Sequence, residues 1–154
     1  MTAPMPSFES ANLRQTTLKD TEALVQLYNR AREGGAETPE SMAGWLENGG
    51  GLLLEDADGE ILCAIRWREE GLGWRVDRIA TLPKARGQNF GRWLMTKVEA
   101  LAIRTNIPTL TLTLDEVRDD LLHYYERMGY RVVEQGESEV TLTKQVGGTW
   151  QYKG

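Results

Sequence analysis

The chain has 154 residues, with 18 lysines and arginines against 23 aspartates and glutamates, one histidine and one cysteine. That length predicts one ordinary domain, and 40% hydrophobic against 27% charged residues predicts a substantial core and excludes intrinsic disorder. The formal charge of −5 argues against a nucleic-acid partner, the lone Cys63 excludes an internal disulfide or a cysteine-rich zinc site, and the lack of long apolar runs predicts neither leader nor membrane span, hence a cytoplasmic protein.

Residues 1–10 read as a flexible N-terminus, 11–146 as the domain, and 147–154 as a polar tail carrying Trp150 and Tyr152. From Thr17 to Arg32 the apolar positions Leu24, Leu27, Tyr28 and Ala31 recur at helical spacing, with Thr17 as N-cap and Gly34 and Gly35 as the stop. Thr38-Pro39-Glu40 opens a second, shorter helix through Trp45 and Leu46, which Gly49 to Gly51 are expected to close. Two strands follow, Leu52 to Glu55 and Ile61 to Trp67, joined by the turn residues Asp56 to Gly59.

A third strand runs from about Gly73 to Leu82. Its alternation slips by one residue near Asp77-Arg78, between Val76 and Ile79, which is the signature of a β-bulge. Phe90, Trp93, Leu94, Val98 and Leu101 then mark a helix to Arg104, and Thr109 to Leu114 alternates in strict period two. Strand, helix and strand within so short a span make a βαβ unit with parallel strands and a right-handed crossover. A last helix, Arg118 to Met128, ends at Gly129 and leads to an antiparallel pair, Tyr130 to Glu134 and Val140 to Lys144. The order β-α-α-β-β-β-α-β-α-β-β describes an α/β fold with a mixed sheet.

Charge is unevenly placed. Between Arg78 and Arg104 six basic residues face one acid, Glu99, so that segment is +5 and the remainder −10. Inside it, Arg86-Gly87-Gln88-Asn89-Phe90-Gly91-Arg92 joins strand to helix, and a small-residue loop feeding a helix N-terminus is built to hold phosphate. It is neither a Walker loop nor a dinucleotide fingerprint. It resembles instead the R/Q-x-x-G-x-G/A signature of the GNAT superfamily of acyl-CoA-dependent N-acetyltransferases, read as Arg86-x-x-Asn89-x-Gly91. Ile79 to Pro83 is similar to the strand that precedes that loop, and Tyr125-Glu126-Arg127-Met128-Gly129-Tyr130 to the family's Tyr-Glu-x-x-Gly-Phe/Tyr segment. Asn89 stands where the motif has its first glycine, suited to a position needing left-handed dihedrals, and Arg118 where many members carry an asparagine.

The resemblance implies direct attack of an amine on the acetyl-CoA thioester in a ternary complex. Backbone amides of Gly87, Gln88, Asn89, Phe90 and Gly91, with Arg86 and Arg92, would take the pyrophosphate, and the backbone of Ile79, Ala80 and Thr81 the pantetheine arm. Tyr125 would supply a proton to the departing thiolate, with Tyr124 as fallback, and Asp77 on the bulged strand would serve as base. The acceptor segments implied, Glu33 to Glu40 and Gln135 to Glu139, are acidic and suit a cationic amine. No metal, nucleic acid or membrane is expected, and the enzyme would be a monomer or homodimer. The rival function is a non-catalytic acyl-CoA-binding sensor or interaction module. His123 and Cys63 are expected to be bystanders, with Cys63 buried in its strand and Trp67, Trp74 and Trp93 in packing roles.

Overall fold

The computed structural model describes residues 11–31, 36–77, 79–114 and 117–147. The expectations for the N-terminus, for Glu33, Gly34, Gly35 and Arg78, and for Trp150 and Tyr152 lie outside the described residues. The chain divides into two compact units, one from residues 1–67 and 79–97, the other from 68–78 and 98–154.

In the first unit, β1 (Asn12–Gln15) pairs antiparallel with β2 (Gly49–Glu55), which lies between β1 and β3 (Ile61–Glu70). Thr17 caps a short 3₁₀ turn, Leu18–Asp20, and the Asp20 carboxylate accepts the Thr17 N–H in return. Helix α1 (Thr21–Ala31) then buries Leu24, Leu27 and Tyr28, the stripe that the spacing predicts. Helix α2 (Pro39–Glu47) opens on Thr38, whose Oγ1 accepts the Ser41 N–H, with proline at the first position as expected.

Gly49 to Gly51 do not act as a helix stop. They begin β2, because the Asn48 side chain has already bonded the Gly44 carbonyl, and because β2 must approach β3 more closely than a side chain allows. A Cβ on Gly51 would lie 2.7 Å from the Ile65 carbonyl oxygen. Seven consecutive residues of β3, Ile61 to Trp67, are buried, so apolar matter covers both faces there.

The second unit holds β4 (Gly73–Val76), which runs parallel to β6 (Thr109–Leu114) in the register Trp74 to Leu110 and Val76 to Leu112. β8 (Val140–Gln145) continues antiparallel on β6, and β7 (Arg131–Gln135) antiparallel on β8, which makes this sheet mixed. Helix α4 (Asp119–Arg127) precedes β7. Helix α3 (Phe90–Arg104) and β6 fall at the predicted residues. The single strand expected from Gly73 to Leu82 is two pieces: it ends at Val76 and resumes as β5 (Ala80–Thr81), so the slip in alternation marks a break in the strand.

Candidate active site

In the first unit, β5 pairs with β3 through Cys63 to Thr81 and Ala64 to Ala80. Among the described residues that is its only strand partner, so its other edge carries no strand. Cys63 is fully buried and shares a 3.2 Å contact with the Thr81 hydroxyl; burial pushes its thiol up to about 11, which suits a packing residue and not a nucleophile.

After the 3₁₀ turn Pro83–Ala85, the chain needs two left-handed residues to enter α3. They are Gly87, with φ of 83°, and Asn89, with φ of 63°, so the asparagine does what its place in the motif suggests. The Asn89 carbonyl accepts the Trp93 N–H, the first bond of the helix. The amides of Phe90, Gly91 and Arg92 therefore precede the first intrahelical donor and sit at the positive end of the helix dipole. Gly91 lets that end close on the strand, since a Cβ there would stand 3.3 Å from the Ile79 side chain. Arg92 is exposed. Arg86, which the resemblance places beside the pyrophosphate, donates at 2.7 Å to the Ala31 carbonyl and so caps the C-terminus of α1. Lys84 pairs with Glu60, which removes one charge from the basic segment.

Tyr125 and Asp77 belong to the second unit. Tyr125 is 9% exposed and meets Tyr124 and Tyr130 edge to face, at centroid distances of 5.0 and 5.7 Å. Burial, with Tyr124 adding to it, pushes its phenol up to about 12. Tyr130 donates to Glu99 at 2.8 Å, and Lys144 donates to the same carboxylate at 3.1 Å. The Tyr125 backbone carbonyl accepts the Met128 and Tyr130 N–H groups at 3.0 Å each, while its hydroxyl bonds no described residue. Asp77 is half-buried in the break after β4. Arg118 precedes α4 and pairs with Asp120, and His123 is exposed. The structure thus gathers Ile79, Ala80, Thr81 and residues 86–92 in one unit and holds the candidate acid and base in the other.

Sequence reasoning missed one cluster. The Arg66 guanidinium, 4% exposed, lies 4.5 Å from the Tyr28 ring centroid and 4.7 Å from that of Trp45, and donates at 2.8 Å to each oxygen of Glu37. That pairing holds the Glu37 carboxyl below its ordinary range and removes it from the acidic surface expected to greet a cation. One signal was visible: a lone arginine inside the apolar run of β3 requires a buried partner.

A family model described as an acetyltransferase (GNAT) domain matches residues 47–132, more than half of the chain. The chain belongs to the GNAT acetyltransferase family. Acetyl transfer is accordingly its class of chemistry. The fold is similar to that of the ribosomal-protein-S18-alanine N-acetyltransferase from Escherichia coli, with a TM-score of 0.79 at 14% identity over 90% of this chain and 96% of that one. It is also similar to the PaiA N-acetyltransferase from Thermoplasma acidophilum in complex with coenzyme A, with a TM-score of 0.68 at 15% identity over 88% and 99%. A third likeness is to Ard1 from Thermoplasma volcanium, with a TM-score of 0.72 at 16% identity over 88% and 97%. No curated protein matches the chain.

Proposed function

We propose that this protein is an N-acetyltransferase that moves the acetyl group of acetyl-CoA to a primary amine of a small molecule or peptide by direct attack in a ternary complex. The observation that carries this function is the pair of left-handed residues, Gly87 and Asn89, that feed the α3 N-terminus beside β5, whose only strand partner among the described residues is β3. Those residues fit the donor. A diphosphate suits the amides of residues 87–91 with Arg92 at their side, and a chain of amides suits the β5 edge at Ile79, Ala80 and Thr81.

When bound, acetyl-CoA supplies an activated acyl carbon. The amine forms the C–N bond as the C–S bond breaks, with no acyl-enzyme, and the proton that the new amide nitrogen sheds passes to the departing thiolate. Asp77 takes the ammonium proton, directly or through water, because an alkylamine is mostly protonated at neutral pH. Tyr125 donates a hydrogen bond to sulfur as negative charge develops there; at about 12 its phenol keeps its own proton at neutral pH and so is always ready to donate. Arg86 donates to the Ala31 carbonyl with one nitrogen, and the rest of its guanidinium assists at the pyrophosphate. The setting is cytoplasmic, as monomer or homodimer; no described helix is long and apolar enough to cross a membrane. Glu37 is engaged by Arg66, and among the described residues the exposed acids Glu40, Glu137 and Glu139 support the preference for a cationic amine.

Thiol release from acetyl-CoA across a panel of polyamines, amino sugars, amino acids and N-terminal peptides tests this. The expected result is amine-dependent release that falls about 100-fold in kcat in Tyr125→Phe with the KM for acetyl-CoA unchanged. Thermal stabilisation by acetyl-CoA with turnover of no amine would overturn it in favour of a non-catalytic acyl-CoA sensor.

A further inference from the structure

The Arg66 cluster joins three elements of the first unit around one guanidinium. Tyr28 comes from α1, Trp45 from α2, Glu37 from the segment between them, and Arg66 from β3. Glu37 is held twice more. Its carboxylate accepts the Ser41 hydroxyl at 3.0 Å, and its backbone is clasped by Asn29, which accepts the Glu37 N–H at 2.9 Å and donates to the Glu37 carbonyl at 3.1 Å. Two ring faces and a carboxylate form a cage for a cation, and here the occupant is the protein's own side chain. A planar guanidinium satisfies both the fork of hydrogen bonds and the stacking, which an ammonium could not do together.

The strand register gives this cage a functional address. β3 and β5 are antiparallel, with Cys63 opposite Thr81 and Ala64 opposite Ala80. Moving along β3 from Ala64 to Arg66, on the same strand face, advances about 7 Å away from the 86–92 loop. With pyrophosphate on that loop and the pantetheine arm along residues 81 to 79, this direction leads to the thioester. At the other end, Arg86 fastens α1 to the cofactor loop through Ala31. The segment leaving α1 therefore starts from an anchor at the phosphate loop and is latched by Arg66 toward the acyl end.

Resting on the transferase function above, we propose that Arg66 is a positioning residue for the acceptor: by filling the Tyr28, Trp45 and Glu37 cage it fixes residues 36–41 as a wall of the acceptor site. The cage is also neutral while Arg66 occupies it, so it contributes shape and not charge to acceptor choice.

The test uses the full chain with the best amine from the panel, in wild type, Arg66→Ala, Arg66→Lys and the shape-preserving Glu37→Gln. In Arg66→Ala the acceptor KM is expected to rise about tenfold or more while the KM for acetyl-CoA stays within about twofold. Millimolar guanidinium should restore the acceptor KM in Arg66→Ala by refilling the cage, and should do nothing for wild type or Arg66→Lys. Glu37→Gln should move the acceptor KM in the same direction by a smaller factor. Equal changes in both KM values, or guanidinium that restores thermal stability but not the acceptor KM, would overturn the proposal and leave Arg66 a structural residue. If wild type turns over no amine, the transferase function has failed and the acceptor role falls with it. The latch is then judged by amide exchange, where unchanged protection of residues 36–41 in Arg66→Ala overturns it and faster exchange that guanidinium reverses supports it.

Discussion

Asn89 offers a direct measure of what the proposed cofactor loop requires. Its φ of 63° lies in the left-handed region, where a residue with a Cβ costs about 1–2 kcal/mol and asparagine costs less because its short amide can bond locally. Asn89→Val restores the full penalty, and β-branching adds to it. The cost must appear somewhere, because the Asn89 carbonyl starts α3 by accepting the Trp93 N–H. If the loop keeps its shape, the free protein loses about 1–2 kcal/mol of stability and acetyl-CoA binds as before. If the loop relaxes, stability is spared and acetyl-CoA binding weakens by roughly 5- to 30-fold, the same energy expressed as affinity. Urea unfolding and calorimetric titration with acetyl-CoA read the two parts, and their sum is the predicted quantity. Asn89→Gly is the control: it removes the strain and should keep acetyl-CoA affinity within about twofold, at a cost of about 0.5–1 kcal/mol in unfolded-chain entropy. A valine variant as stable and as tight-binding as wild type would refute the reasoning.

Three further outcomes follow from other parts of the molecule. A Cβ on Gly73 would lie 2.4 Å from the Thr109 carbonyl oxygen, so Gly73→Ala should force β4 off β6 and cost about 2–3 kcal/mol in denaturant unfolding, whereas Gly44→Ala, with nothing within 4 Å of the new methyl, should stabilise α2 slightly. Tyr125 is raised to about 12 in the folded state, so stability should hold up to the ordinary phenol range near pH ~10 and fall between there and about 12, where only the unfolded chain ionises; Tyr125→Phe should flatten that part of the pH curve. Asp20, held low chiefly by its hydrogen bonds to Arg14, contributes stability that is present above pH ~4 and lost as pH falls through its depressed folded value. Asp20→Asn should therefore cost about 1.5 kcal/mol at pH 7 and nothing at the acid extreme, measured as urea midpoints across pH.

Much of this protein was legible as one-dimensional pattern. Helix α3 and strand β6 declare themselves because period 3.6 and period two are local properties of the chain, and Thr38-Pro39 marks the start of α2 because caps are satisfied by residues a few positions away. The conformation of the 86–92 loop was legible for the same reason: its left-handed residues and the helix that follows occupy one short stretch, so the turn and the helix start are written consecutively. The slip near Asp77-Arg78 signalled irregularity, but whether it was a bulge or a full break between β4 and β5 depends on which neighbours supply hydrogen bonds, and those neighbours lie elsewhere in the chain.

Tertiary structure alone decided how the charges are spent. The resemblance placed Glu37 in an acidic acceptor segment and Arg86 beside the pyrophosphate, and the structure adds that Glu37 is bound to Arg66 and that Arg86 also donates to the end of α1, partners 29 and 55 residues away. Local sequence specifies conformation through contacts within a turn or two, whereas the fate of a charge depends on whatever opposite charge, carbonyl or ring face the fold brings within about 3–5 Å. The fold and the left-handed turn into α3 could therefore be read from the sequence of this GNAT acetyltransferase, while the Arg66 cage, which involves four separate segments, became visible only once those segments were packed together.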